Sequence, residues 1–166
     1  MNILLTGSTG FVGHTVAAAL TRAGHQVHGG VSPRHRSPGA LQVPMDFARD
    51  TSAQAWLPRL AGIDAVVNAV GVLRNSRRQP MQAIHADAPC ALFDACAQAG
   101  VRRVVQISAL GIADGDTPYA STKKVADAHV LRLTQAGALD GTVVRPNTCA
   151  WFIPASAENL DPAQRR

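Results

Sequence analysis

Three glycines follow a short apolar run at the amino end of the chain. Residues 2–6 have the pattern of a buried strand, and residues 11–23 have that of a helix ended by Gly24. The segment between them contains Gly7, Gly10 and Gly13, which would let backbone N–H groups approach a phosphate at the positive end of the helix dipole. A strand, a glycine-rich turn and a helix in this order are the first half of a βαβ unit.

Strand and helix patterns alternate along the chain as far as residue 146. Apolar runs predict five further strands, at residues 25–31, 40–44, 63–70, 102–108 and 141–145. Periodic segments predict helices at residues 53–60, 80–100 and 119–136. This alternation predicts the α/β class: a Rossmann-type, doubly wound and mostly parallel sheet in three α/β/α layers, with ligands at the carboxyl ends of the strands.

The bulk composition is that of one globular domain. The chain has 166 residues, of which 46% are hydrophobic and 16% charged. Residues 1–146 form the predicted domain, and residues 147–166, which lack a clear period, are predicted to be an irregular tail left from a substrate region. No apolar run approaches the roughly 20 residues of a membrane span, and no signal peptide is visible, so a cytoplasmic location is expected.

The cysteines and the basic residues exclude several classes of function. Cys90, Cys96 and Cys149 form neither a disulfide framework nor a metal-binding pair, so they are predicted to be reduced thiols, and no metal site is expected. The net charge of +5 comes mostly from arginines in scattered pairs, such as Arg77-Arg78 and Arg102-Arg103. This scatter argues against nucleic-acid binding and favours a solvated basic face, with a few arginines serving a phosphate-rich cofactor.

Several motifs resemble those of the short-chain dehydrogenase/reductase superfamily. The spacing Gly-x-x-Gly-x-x-Gly resembles its glycine loop, Asn68-Ala69-Val70-Gly71 its Asn-Ala-x-Gly segment, and Tyr119 with Lys123 its Tyr-x-x-x-Lys signature. The run Ser108-Ala109-Leu110-Gly111 so close before Tyr119 resembles the atypical, extended branch. That branch is NAD-dependent epimerase/dehydratase-like and includes proteins similar to the NAD(P)-binding accessory subunit of respiratory complex I. The resemblance covers residues 1–146.

The resemblance implies a nicotinamide dinucleotide cofactor. No acidic side chain ends the second strand, whereas Ser32, Arg34 and Arg36 suit a 2′-phosphate, so NADP is favoured and NAD is the alternative. Arg34 and Arg36 could instead be solvated loop charges, and Asp46, placed where the superfamily sets an aspartate against adenine, could instead form a turn. The cofactor-binding residues expected from the resemblance are Gly7, Ser8, Thr9, Gly10, Phe11, Val12, Gly13, Ser32, Arg34, Arg36, Asp46, Phe47, Asn68, Ala69, Val70, Gly71 and Lys123.

Tyr119 and Lys123 lie four residues apart in a predicted helix and therefore share one face. A lysine ammonium near a tyrosine favours the phenolate and so lowers the phenol pKa towards a working acid or base. The resemblance implies that Tyr119 exchanges a proton with the substrate and that Lys123 assists it and holds the nicotinamide ribose. Ser108 is the third candidate catalytic residue.

Departures from the superfamily pattern leave the activity open. Ala109 stands where the second serine of a Ser-Ser pair is expected, and His85 stands where an asparagine is expected. His85 could relay protons or be a hydrogen-bonded structural histidine. The residues after Arg145-Pro146 do not resemble the usual continuation towards a substrate domain, which indicates a chain truncated at its carboxyl end.

Two functions follow from these features. The first is an oxidoreductase or nucleotide-sugar epimerase/dehydratase that acts on a small molecule, with Tyr119 as its acid/base. The second is a non-catalytic NADP(H)-binding structural or regulatory module, like the complex I accessory subunit. The helices predicted at 80–100 and 119–136 could pair in a homodimer.

Overall fold

The computed structural model describes residues 1–32 and 41–146. Its centre is a six-stranded sheet in the order β3-β2-β1-β4-β5-β6, and the paired strands are parallel. The strands are β1 (Asn2–Thr6), β2 (Gln26–Val31), β3 (Leu41–Pro44), β4 (Ala65–Asn68), β5 (Arg103–Ile107) and β6 (Asp140–Val144). The predicted parallel α/β sheet is confirmed. The first strand has the predicted bounds, the sixth is shifted by one residue, and the other four are one to four residues shorter than the sequence pattern indicated.

Helices cover both faces of the sheet. They are α1 (Phe11–Arg22), α2 (Ala53–Trp56), α3 (Ala88–Ala99) and α4 (Pro118–Gln135). Side chains of α1 pack on the face formed by Ile3, Leu5 and Val67, whereas α2, α3 and α4 contribute to the larger core on the opposite face. Alternate residues of β1 therefore point into different layers, and both layers exclude water, as expected for a parallel sheet buried on two sides.

Two predicted helices are interrupted at prolines. The helix expected at 53–60 changes at residue 57 into a 3₁₀ turn (Leu57–Leu60), since Pro58 has no N–H for an α-helical bond. The helix expected at 80–100 contains a π-helical segment (Ala83–Asp87) before α3. Pro89 cannot donate to the His85 carbonyl and would crowd it in a regular helix, so the wider turn accommodates the ring.

The carboxyl ends of β1, β4 and β5 are joined by side chains. Register places Thr6 beside Asn68 and Asn68 beside Gln106. The Thr6 hydroxyl donates to Asn68 Oδ1 at 2.5 Å, and Asn68 Nδ2 donates to Gln106 Oε1 at 2.7 Å. These buried bonds hold the three strand ends together at the point where the sheet grows in opposite directions from β1 and β4, the usual ligand-binding crevice of such sheets.

Within residues 1–32 and 41–146, no helix combines the length and the apolar character needed to cross a bilayer.

Candidate functional site

The loop between β1 and α1 has a shape that side chains would obstruct. Gly7 has a φ of +68°, and a Cβ there would lie 2.9 Å from the Ala69 carbonyl carbon and oxygen. A Cβ on Gly13 would overlap the Gly7 carbonyl, so α1 can lie this close to the loop only with glycine at that position. The amide of Gly10 donates to the Gly7 carbonyl at 2.9 Å, and Gly10 is the N-cap of α1. The loop thus presents the amino end of a helix at the carboxyl edge of the sheet, which is an anion-binding geometry.

Ser8 connects this loop to β2. Its hydroxyl donates to the Gly30 carbonyl at 3.0 Å, and a Cβ on Gly29 would lie only 3.0 Å from Ser8 Oγ. The glycines of β2 therefore allow the loop to lie against that strand. In this structure Ser8 braces the loop, in addition to its predicted contact with a cofactor.

A cavity of about 740 Å³ lies between the glycine loop and the neighbouring strand ends. Its walls include nine of the residues predicted from the sequence to bind a cofactor: Gly7, Thr9, Gly10, Ser32, Asp46, Phe47, Ala69, Val70 and Gly71. Arg34 and Arg36 lie outside the described residues. The chain segments that the sequence assigned to one ligand thus meet around one cavity, although they are separated by up to 64 positions, from Gly7 to Gly71.

Asp46 forms the turn that was one of its two predicted roles, and it lies in the cavity wall. Its Oδ1 accepts from the Ala48 amide at 3.0 Å and its own amide donates to Asp50 Oδ2 at 2.7 Å, so it forms a turn. It also lines the cavity next to Phe47. The turn holds the carboxylate at the cavity wall.

Lys123 joins the ends of two strands. Helix α4 begins after Thr117, whose hydroxyl accepts from the Ala120 amide at 3.2 Å, and this start places Lys123 one turn after Tyr119. The buried Lys123 Nζ donates to the Val70 carbonyl at 3.4 Å and to the Ile107 carbonyl at 3.1 Å. A lysine ammonium has three N–H bonds, so one of them is left for a ligand at this edge of the sheet.

The electrostatics of the Tyr119–Lys123 pair differ from the sequence prediction. Burial raises the pKa of Tyr119 above its ordinary value of 10.0, where a lowering by Lys123 was expected. Burial lowers the pKa of Lys123 and the carboxylate of Asp127 raises it, so Asp127 opposes the loss of the ammonium charge.

Ser108 is hydrogen-bonded to the same carboxylate. Strand β5 ends at Ile107, so Ser108 is the first residue beyond it, and its hydroxyl donates to Asp127 Oδ2 at 2.7 Å. Arg145 Nη2 lies 3.1 Å from the same oxygen. The hydroxyl hydrogen of Ser108 is therefore committed to Asp127, and the predicted role of polarising a substrate oxygen would require that bond to be exchanged.

His85 connects the loop after β4 with helix α4. Its Nε2 accepts from the Val72 amide at 2.9 Å, so the ring hydrogen lies on Nδ1, which is 3.0 Å from Thr122 Oγ1. A Cβ on Gly71 would lie 3.5 Å from Lys123 Nζ and 3.6 Å from His85 Nε2. Both ring nitrogens have partners, as expected if His85 is a hydrogen-bonded structural histidine.

Sequence reasoning missed Asp127 and the cavity-lining residues Arg49, Arg77, Arg78 and Gln79. Asp127 lies four residues after Lys123, and this spacing of opposite charges on a helix was a usable signal. The four cavity residues carry no local pattern that would have indicated a site.

The parallel sheet, the glycine loop and the Tyr119–Lys123 helix together define a Rossmann-type domain of the short-chain dehydrogenase/reductase kind. The chain belongs to the NAD dependent epimerase/dehydratase family, whose model matches residues 3–150. The resemblance stated from the motifs is therefore confirmed.

Individual relatives extend this assignment. A 3-diazoavenalumate denitrifying reductase from a Streptomyces species is 30% identical over an alignment of 171 residues. The alignment covers 89% of this chain and 56% of the reductase. A short-chain dehydrogenase/reductase superfamily protein from Agrobacterium tumefaciens, solved with bound NAD, is 26% identical with a TM-score of 0.76, over 87% of this chain and 48% of that protein. UDP-glucuronic acid 4-epimerase from Bacillus cereus, solved in complex with NAD, shares the fold, with a TM-score of 0.69 at 18% identity, over 87% of this chain and 56% of the epimerase. The chain thus spans about half the length of these relatives.

Proposed function

We propose that this chain is the dinucleotide-binding part of an NAD(P)-dependent oxidoreductase or nucleotide-sugar epimerase/dehydratase. The observation that carries the proposal is the glycine loop, in which Gly7 and Gly13 leave no room for side chains and the amino end of α1 meets the edge of the sheet. Backbone N–H groups at a helix start suit a pyrophosphate. The Agrobacterium relative contains NAD, which supports this class of ligand.

The residues present fit the remaining parts of such a ligand. Asp46 and Phe47 would hold the adenine end, since they line the cavity beside the end of β2. Lys123, which already bridges the ends of β4 and β5, would hold the nicotinamide ribose with its remaining N–H. One cavity is lined by Asp46 and Phe47, by the glycine loop, and by Val70 and Gly71. One extended molecule in it can therefore contact all three of these segments.

NADP is the proposed form of the cofactor. The second strand ends at Val31, and residues 32–40 of the sequence include no acidic side chain to accept from the 2′- and 3′-hydroxyls of an NAD ribose, whereas Ser32 lines the cavity. Arg34 and Arg36, which follow in the sequence, would add two guanidinium groups for the 2′-phosphate.

A bound nicotinamide supplies or takes up the hydride in this class of reaction. Tyr119 would exchange the accompanying proton with a substrate hydroxyl or carbonyl, since its phenol is half-buried and has no hydrogen-bond partner among the described residues. Lys123 would stabilise the phenolate through its ammonium charge. Ser108 would polarise the substrate oxygen after exchanging its bond to Asp127. The name of the Streptomyces relative, a reductase, agrees with hydride chemistry.

A non-catalytic NADP(H)-binding module is the second candidate. It is favoured by the bond between Ser108 and Asp127, which occupies the hydroxyl that catalysis would use, and by Ala109 at the position of the second serine. Both candidates predict dinucleotide binding, and they differ only in turnover.

Calorimetric titration of the folded chain with NAD, NADH, NADP and NADPH tests the shared part of the proposal. We expect saturable binding, tighter for NADP and NADPH, and a rise in melting temperature with ligand concentration. In Gly13→Ala the added methyl group would displace α1 from the loop, so affinity should fall by more than tenfold. Gly24→Ala is the control, because it lies beyond the other end of α1, where an added Cβ meets nothing within 4 Å, while its φ of +81° makes the substitution costly to stability alone. Absence of binding for all four nucleotides would refute the proposal.

A further inference from the structure

A hydrogen-bonded turn follows β4 and lines the same cavity as the glycine loop. Ser76 and Gln79 exchange two backbone hydrogen bonds, at 3.2 and 3.1 Å, and Ser76 Oγ accepts from the Gln79 amide at 3.0 Å. Asn75 Oδ1 accepts from the Met81 amide at 2.9 Å and so ties the turn to the start of the next helical segment. The tip of this braced turn is Arg77 and Arg78.

Both arginines line the cavity, together with Gly7, Thr9 and Gly10. Three arginines of the described residues have acidic partners: Arg49 lies 3.8 Å from Asp46, Arg59 2.7 Å from Asp50, and Arg145 3.1 Å from Asp127. In the described part of the chain, neither Arg77 nor Arg78 has an ion pair or a hydrogen bond to its guanidinium group. Two adjacent cations on one wall of a cavity are thus left for an anion.

The charge of the other cavity walls also favours an anion. Among the described residues that line it, Asp46 is the one carboxylate, and Arg49, 3.8 Å away, already neutralises it. The cavity wall therefore carries a net positive charge. Guanidinium groups bind phosphate oxygens through two parallel hydrogen bonds, a geometry that an uncharged backbone loop does not supply.

We propose that Arg77 and Arg78 bind a phosphate group of the dinucleotide in the cavity that they share with the glycine loop. This inference rests on the proposed function. The phosphate belongs either to the pyrophosphate bridge or to the 2′-position of NADP. The braced turn holds the two side chains near the cavity before the ligand arrives, which lowers the entropic cost of binding.

Titration calorimetry of Arg77→Ala/Arg78→Ala with NADPH and with NADH tests the inference. We expect affinity for NADPH to fall by about tenfold or more, because a charge-assisted hydrogen bond contributes about that factor to binding. An equal loss for NADH assigns the pyrophosphate bridge, and a loss confined to NADPH assigns the 2′-phosphate. Arg74→Ala is the matched control, an exposed arginine of the same segment that does not line the cavity, and its affinities should stay within twofold of those of the unmodified chain.

The outcomes separate this inference from the proposed function. If the unmodified chain binds none of the nucleotides, both fail. If it binds them and the double variant binds as tightly, or if Arg74→Ala weakens binding to the same degree, Arg77 and Arg78 are solvated charges and only this inference fails. Equal melting temperatures of the free variants show that folding is unchanged, as expected for exposed side chains.

Discussion

The ring of His85 packs edge-on against the ring of Tyr119, with centroids 5.2 Å apart and planes at 88°. The same histidine accepts from the Val72 amide and contacts Thr122 Oγ1, so the loop after β4 and the helix that carries Tyr119 are held by one side chain. The position of the candidate catalytic tyrosine thus depends on the π-helical segment in which His85 lies.

Replacing His85 by alanine should lower the free energy of unfolding by about 1–3 kcal/mol, because the Val72 amide loses its acceptor. His85→Gln should cost less, since the glutamine oxygen can accept in place of Nε2. Urea unfolding monitored by circular dichroism measures both changes. Equal losses for the two variants would show that the acceptor is not what stabilises this region.

His85 should also make stability depend on pH in the acidic range. Burial, with a smaller contribution from the Lys123 ammonium, lowers the pKa of His85 from 6.5 to about 4. Between these two values the unfolded chain binds a proton that the folded chain does not, so stability falls as the pH decreases from about 6.5 towards 4, and this contribution is constant above 6.5. We expect a larger loss of unfolding free energy between pH 7 and pH 4.5 in the unmodified chain than in His85→Gln. Identical losses would contradict the assignment.

The carboxylate of Asp127 is predicted to hold both Lys123 and Ser108 in place. In Asp127→Asn, Lys123 loses the nearby negative charge that raises its pKa against the lowering caused by burial. Arg145 loses its ion-pair partner. The free energy of unfolding should fall by about 1–3 kcal/mol, and dinucleotide affinity should decrease, because Lys123 would hold its charge less well.

Asp94→Asn provides the control for this substitution. Asp94 lies 2.7 Å from His129 on the surface of the helix pair, with its side chain 42% exposed, whereas that of Asp127 is 5% exposed. An exposed pair of this kind contributes at most about 1 kcal/mol. If the two variants lose the same stability and retain the same affinity for NADPH, Asp127 has no special relation to the site.

Tyr119→Phe separates catalysis from binding. Removing the phenol hydroxyl should reduce turnover by about 10² to 10⁴-fold, the usual contribution of a general acid or base, and should leave NADPH affinity within about twofold. Oxidation of NADPH, measured by absorbance with a panel of carbonyl compounds, gives the first quantity, and calorimetry gives the second. A chain that binds NADPH tightly but turns over none of the compounds, with or without the tyrosine, would favour the non-catalytic module.

Much of the fold could be predicted because the information is local. Short apolar runs of two or three residues mark β1, β4 and β5, and the glycine spacing marks the turn into α1. Pro58 and Pro89 are also local signals, but the backbone that forms around each of them depended on packing. A proline near a helix start can leave the turn α-helical, tighten it to 3₁₀ or widen it to a π-helix. Helical periodicity alone did not distinguish these cases.

The site was predictable only where one segment carries the whole signal. The sequence by itself determined the position of the glycine-rich loop, from three glycines between a strand and a helix, and the shared face of Tyr119 and Lys123, from a separation of four residues. Tertiary structure decided that Lys123 bonds to Val70 and Ile107, that Asp127 accepts from Ser108, and that Arg77 and Arg78 line the same cavity as the glycine loop. These contacts join residues that are distant in the chain, and they exist because parallel pairing brings the carboxyl ends of β1, β4 and β5 to one edge of the sheet.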